Sequence, residues 1–553
     1  MARNAERSAM LSLALAVIGA LALVAVVGKD ALPTKPSTRD NEASVWPASG
    51  YRHIGDTVFI QAQYGASLRI ASQANAPIME FGDRAMVVAM KDERSAARSL
   101  SIPISMNWRH PLAGLPTAQV LRIAEVDGRG RSTEEKVHTL LFTDHGDLPI
   151  LSLVLPHGAL FDPDTGIMVV GNGIFHAPEK VLTAEYRDPR WWKYPGNFHM
   201  RGKEWERQGV VQFIGSEGDE IFQDHVGVRM NGQMTRSFPQ HALRLEFPER
   251  LQQDIFGEPV HKGYSSVIVR AAGNDQIKAM LRDAFQHDLC AGLPFEVSGH
   301  RTCVLYINGA YWGVHHIRHR LDEDELARRY GIRKQEITIL EDEARLYRGD
   351  TIEVARFERL AQRTAVWNGL DQRWMDTLNA SLDVDGFLAY MATQMILGNM
   401  DWPSQNVKFW RFTGAPRHER PLDGRWYFMM GDSDLGYGVH ASPSTDMFIR
   451  ANALDVPITQ LYRGMMRDPR TKARFIDTAR KLAQGTFSAE RSLVKLDRIV
   501  QLMAPEMTNH TRRWRRPADV RTWMEQVDIM RSFAMERSGQ VLRQLRTFGS
   551  RGN

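Results

Sequence analysis

Asp401 and Asn406 lie five positions apart in GNMDWPSQNVKFW (Gly398–Trp410), just ahead of an apolar run that reads as a strand. An aspartate can accept a hydroxyl proton, and an asparagine carbonyl is a hard oxygen ligand for a divalent cation. A tight Asx turn would give the same spacing without any chemistry. A second acidic motif follows in MMGDSDLGYG (Met429–Gly438), where an apolar strand ends in Asp432, with Asp434 two residues on and glycines after it. Carboxylates at a strand end beside freely rotating glycines suit divalent metal and phosphate. A hairpin turn with two solvated acids is the simpler alternative.

The elements that must hold these residues are readable from periodicity. DVDGFLAYMATQMILGNM reads as a buried helix running into the Asp401 motif, and VKFWRF and RWYFMMGD read as a strand pair between the two acidic motifs. GVRMNGQMTRSFPQHALRLEF (Gly227–Phe247) reads as two strands joined at Asn231-Gly232, the strongest short hairpin signal. It is also a place for a phosphate loop. Asn308-Gly309 marks another hairpin, followed by HHIRH, where His315 and His319 would share a strand face. Partly exposed strand histidines explain that pair more simply than a metal site.

The chain has 553 residues and a net charge of +5 from 70 basic and 65 acidic residues. Its densest basic cluster, HTRRWRRP, reads as a solvated helix end, so nucleic acid is not an expected partner. Two cysteines, Cys290 and Cys303, exclude a thiolate zinc site; they read as buried thiols, with a disulfide as the alternative. Ala9–Gly28 carries no charge, a length that just spans a ~30 Å hydrocarbon core. Arg3 and Arg7 precede it, which places the rest of the chain outside the cytoplasm. We expect an uncleaved anchor over 1–28; a cleaved signal peptide would give a secreted protein. Residues 29–47 read as a linker, and 48–150 as a β-sandwich of short strands. The chain from 151 to 553 mixes strands and helices, with amphipathic helices from about 454.

Proton acceptor, metal asparagine, strand pair and metal aspartate follow one another in the order found in protein kinases. Seven stretches carry a closer resemblance: LPILSLVLPHGALFDPDTGIMVVG, KEWERQGVVQFI, GVRMNGQMTRSFPQHALRL, MLRDAFQHDL, LYINGAYWGVHHIRHRLDEDELARRYGI, LGNMDWPSQNVKFWR and WYFMMGDSDLGYG. In this order they resemble the CotH kinase family. The resemblance implies an α+β fold, an atypical two-lobed kinase-like domain with a helical C-terminal part. It also implies phosphate transfer from ATP to protein side chains with Mg²⁺ or Mn²⁺. Asp401 would be catalytic; Asn406 and Asp432 would hold metal with Asp434 assisting; Arg229 and Arg236 would approach the phosphates. Two positions depart from the family: His241 stands where a lysine is usual and His319 where a glutamate is usual. A neutral imidazole does not replace an ammonium on phosphate. The expected function is an extracytoplasmic phosphotransferase acting on an envelope or secreted protein. The alternative is an inactive pseudokinase with a binding or structural role.

Overall fold

Buried and exposed residues alternate along Thr57–Gln61, Ser67–Ala71 and Arg84–Val88, the period of strands with one covered face. The computed structural model describes residues 24–25, 43–91, 98–175, 189–257 and 262–550. It divides into two units, Met1–Met230 with Cys303–Val314, and Asn231–Thr302 with His315–Asn553.

In the first unit, strands β1 (Val24–Ala25), β2 (Ser44–Trp46), β3 (Gly50–Tyr51), β4 (Thr57–Gln61), β5 (Ser67–Ala71), β6 (Met79–Phe81), β7 (Arg84–Val88), β8 (Ala118–Val126) and β9 (Lys136–Leu141) form two sheets. Their orders are β1-β7-β4-β2 and β3-β9-β8-β5-β6. Val58, Ile60 and Val87 from one sheet and Leu68, Ile70, Leu121 and Leu140 from the other join in one buried cluster. β10 (Ile150–Val154) then pairs antiparallel with β11 (Arg207–Ile214), which pairs with β12 (Glu220–Asn231).

Asn308 and Gly309 both take positive φ, 51° and 77°, and close the two-residue turn between β15 (His300–Ile307) and β16 (Ala310–His319). That is the geometry the Asn-Gly pair favours. Asn231-Gly232 behaves differently. Instead of a two-residue turn it opens a loop over 232–241 that contains a 3₁₀ turn, Met234–Ser237, and only then does β13 (Ala242–Leu251) begin.

In the second unit β13, β14 (Tyr264–Arg270) and the end of β16 pair antiparallel. A second sheet has the order β18 (Arg345–Arg348), β17 (Ile337–Glu341), β19 (Val407–Phe412), β20 (Trp426–Met430). The central helix, Val384–Leu397, is buried almost all round, as expected of a helix with no polar face. Phe387 and Tyr390 pack with tilted rings against Phe428 of β20, at 5.1 and 4.8 Å between ring centroids. Each such large side chain contributes on the order of 1.5–3 kcal/mol when removed from water. The last carbonyls of the helix would be orphaned. Arg537, from the long helix Val520–Ser550, donates to those of Met395 (2.6 Å) and Ile396 (2.9 Å).

Both cysteines are buried thiols and are not bridged to each other. Among the described residues no helix is long and apolar enough to cross a membrane. The expected anchor, Ala9–Gly28, lies outside the described residues apart from Val24–Ala25, which are extended and pair with β7.

Candidate active site

The central helix ends at Gly398, in the left-handed region at φ 63°, and the chain turns into the loop that carries Asp401. Three sets of hydrogen bonds hold this loop. The buried Asn399 accepts from the Asp401 N–H at 3.3 Å, and its amide donates to the Gln394 side chain (3.1 Å) and to the Asp432 carbonyl (3.4 Å). Gln405 N–H and Ser404 Oγ donate to the Asp401 carbonyl at 3.1 and 3.3 Å. Arg450 donates to the carbonyls of Met400 (2.6 Å) and Trp402 (2.9 Å).

Asn406 then takes φ 60°, a conformation asparagine adopts more readily than most residues. Its amide donates to Asp401 Oδ2 at 3.1 Å. The spacing in sequence thus becomes a direct contact. Val407 pairs with Met430 across β19 and β20, so Asn406 faces Gly431. The backbones meet so closely that a Cβ on Gly431 would sit 2.2 Å from the Asn406 carbonyl oxygen. Asp432 follows at once and comes near Asp401. Burial, and then the charge of Asp432, push the Asp401 carboxyl above the ordinary aspartate value; His440 and Arg450 oppose this.

Asp434 faces the protein interior. It is 1% exposed, its carboxylate accepts from the Asn274 N–H (2.7 Å) and side-chain amide (3.2 Å), and Arg270 reaches it at 3.4 Å. Its own N–H donates to Asp432 Oδ1 at 3.1 Å. Burial and the Asp432 charge hold the Asp434 carboxyl well above its usual value. Arg270 also pairs with Asp432 at 2.6 Å and with Asp283 at 3.3 Å. Burial alone would lower the Arg270 guanidinium, but Asp432, Asp283 and Asp434 together raise it. Asp283 is the reverse case: burial would raise it, yet Arg318 and Arg270 hold it well below the carboxylate range. It also accepts from Ser433 N–H and Oγ, both at 3.1 Å. His287 accepts from the Ser298 N–H on Nδ1 at 3.1 Å, which leaves Nε2–H to donate to the Gly431 carbonyl, also at 3.1 Å. Burial, then Arg318, lower its imidazole to about 3, so it is neutral.

The residues expected at the phosphates are placed as follows. Arg229 belongs to the first unit, where it grips Glu206 through Nε (2.8 Å) and Nη2 (2.6 Å). Arg236 is buried and donates to the Gly232 carbonyl at 2.7 Å. His241 is fully buried just ahead of β13. His319 is buried against Phe256 and Tyr264, with Nδ1 3.1 Å from the Gly299 N–H and 3.2 Å from Arg329. Sequence reasoning brought together Asp401, Asn406 and Asp432. It missed Arg270, Asn274, Asp283, Arg318 and Asn399. MLRDAFQHDL carried Asp283 and His287 in plain view, but as a helix pattern rather than as partners of Arg270, Ser433 and the Gly431 carbonyl.

A family model for the CotH kinase protein matches residues 228–541, more than half of the chain. This chain belongs to the CotH kinase family. All eight expected site residues fall inside the matched span, which starts later than the resemblance read from about residue 150. No curated protein matches the chain.

Among the described residues no group of three or more His, Cys, Asp or Glu side chains is gathered to hold a metal ion. Mg²⁺ and Mn²⁺ do not need such a cage, because one or two carboxylates suffice when phosphate and water complete the shell. The Asp432 carboxylate with the Asn406 amide oxygen fits that requirement, and Asp401 lies close enough to feel the charge of Asp432.

Proposed function

We propose that this CotH kinase family member transfers phosphate from a nucleotide, ATP by family expectation, to a hydroxyl of a protein. Asp401 is the proton acceptor, and Asn406 and Asp432 hold a divalent ion. The observation that carries this reading is the contact of Asn406 with Asp401 beside Asp432, built from two separate stretches of backbone, the loop ahead of β19 and the end of β20. When bound, the ion offsets charge on the transferred phosphoryl group. The remaining work is done by the chain. Asn406 orients the Asp401 carboxylate, and Asn399 and Arg450 fix the loop that carries it. Burial and the neighbouring Asp432 make Asp401 a stronger base than a solvated aspartate, and so a better acceptor for a hydroxyl proton. The uncharged Ala9–Gly28 segment supports an acceptor in the cell envelope or among secreted proteins.

The test is phosphate transfer from labelled ATP with Mg²⁺ or Mn²⁺, to the chain itself and to a panel of envelope and secreted proteins. Transfer by the wild type that Asp401→Asn removes supports the reading. Tight nucleotide binding without any transfer would favour the pseudokinase instead.

A further inference from the structure

Arg270 lies in β14, three residues ahead of the turn that begins at Gly273, and no spacing in the sequence links it to the acidic motifs. It nevertheless contacts three carboxylates: Asp432 at 2.6 Å, Asp283 at 3.3 Å and Asp434 at 3.4 Å. Asp434 is boxed in on its other sides. Its Oδ2 accepts from the Asn274 N–H at 2.7 Å, and a Cβ on Gly273, at φ 56°, would sit 2.2 Å from the same oxygen. Its Oδ1 accepts from the Asn274 amide at 3.2 Å. A cation approaching from the Asp401 side therefore finds Asp434 enclosed at 1% exposure, whereas Asp432, though bound by Arg270 through Oδ1, is 27% exposed.

We infer that the Arg270 guanidinium occupies the place of a second divalent cation, so that the Asp401–Asn406–Asp432 face holds one ion and Asp434 ligates none. This rests on the reading of Asp432 as a metal residue. A second ion beside a fixed guanidinium would be repelled at short range. Arginine suits this role because it stays charged and its planar fork bridges carboxylates that a metal would otherwise have to join.

The experiment counts Mn²⁺ ions bound per chain, from the loss of the free-ion electron paramagnetic resonance signal on titrating the full-length protein. Circular dichroism checks that each variant is folded. Wild type should bind one ion, Asp434→Asn should still bind one, and Asp432→Asn should bind none. Arg270→Gln should bind two, and Arg270→Gln with Asp434→Asn should return to one. Two ions in wild type falling to one in Asp434→Asn would overturn the inference. So would a folded Arg270→Gln that still binds one. In both of those cases loss of binding in Asp432→Asn would leave the proposed site standing. If Mn²⁺ binding is absent, or is the same in Asp432→Asn, the site assignment fails and takes the inference with it. Should Arg270→Gln not fold, the wild-type and Asp434→Asn counts decide alone.

Discussion

Asp401 is charged at a cost, since burial and Asp432 both disfavour its ionised form. This separates the catalytic role from a turn role. A carboxylate that only closed a turn would lose stability on neutralisation. Here Asp401→Asn removes a repulsion, so at pH 7 it should melt at or above the wild-type temperature. Its phosphate transfer should fall by about 10²–10⁴-fold, the usual worth of a general base. Because the raised group must be ionised to accept a proton, activity should be lost as pH falls through its raised value. The stabilising contribution of the same group has the opposite sense, present at low pH and lost as pH rises through that value. A rate profile beside a melting profile checks both. Asn399→Ala should cost about 1–3 kcal/mol by stripping partners from buried groups, and slow transfer through a loosened Asp401; denaturant melts together with kinetics would show it. The sequence revealed Asp401 and Asn406 because their contact is local. Arg270 and Asp434 are 164 positions apart, and no spacing rule reaches that far.

At the scale of elements, the β19–β20 pair places the chemistry. Its register puts Asn406 opposite Gly431 with no room for a side chain. Gly431→Ala must therefore push the strands apart, at about 1–3 kcal/mol by the usual cost of overpacking. Loss of metal binding should accompany the lowered melting temperature. Asn406 separates backbone from chemistry. Asn406→Gly keeps the left-handed turn and should melt near wild type, whereas Asn406→Ala should lose about 1–2 kcal/mol; both should weaken Mn²⁺ binding. The central helix and this strand pair were legible because their apolar periods are strong. Asn308-Gly309 formed the turn its residues favour, while Asn231-Gly232 did not. The local preference of an Asn-Gly pair is worth little against the packing of the loop that buries Arg236, Ser237, Gln240 and His241.

Across the whole molecule, buried neutral histidines govern the response to acid. Burial is the first cause that lowers His287, His300, His316 and His510 to about 3. In the unfolded chain each takes a proton near ~6.5. Their stabilising contribution is therefore full above that value and lost as pH falls toward 3. Raised carboxylates such as Asp275, Asp322 and Asp434 act in the opposite sense. The four histidines should dominate between pH 6.5 and 5, so the melting temperature should fall across that interval. A flat or rising profile would show that the carboxylates win. None of this was readable from sequence, where His315 and His319 of HHIRH read as partly exposed although both are buried: burial is a property of the packed chain, and a strand pattern does not say that both of its faces are covered.

The most direct test of the Asp401–Asn406–Asp432 site is a thermal-shift titration of the full chain with ATP, with and without Mn²⁺, beside Asp432→Asn. A ligand that binds only the folded state stabilises it by about 2.7 kcal/mol at a hundred times its Kd. The site described here predicts a rise in melting temperature on adding ATP that depends on Mn²⁺ and is lost in Asp432→Asn. No shift at millimolar ATP, or an equal shift in Asp432→Asn, would contradict it.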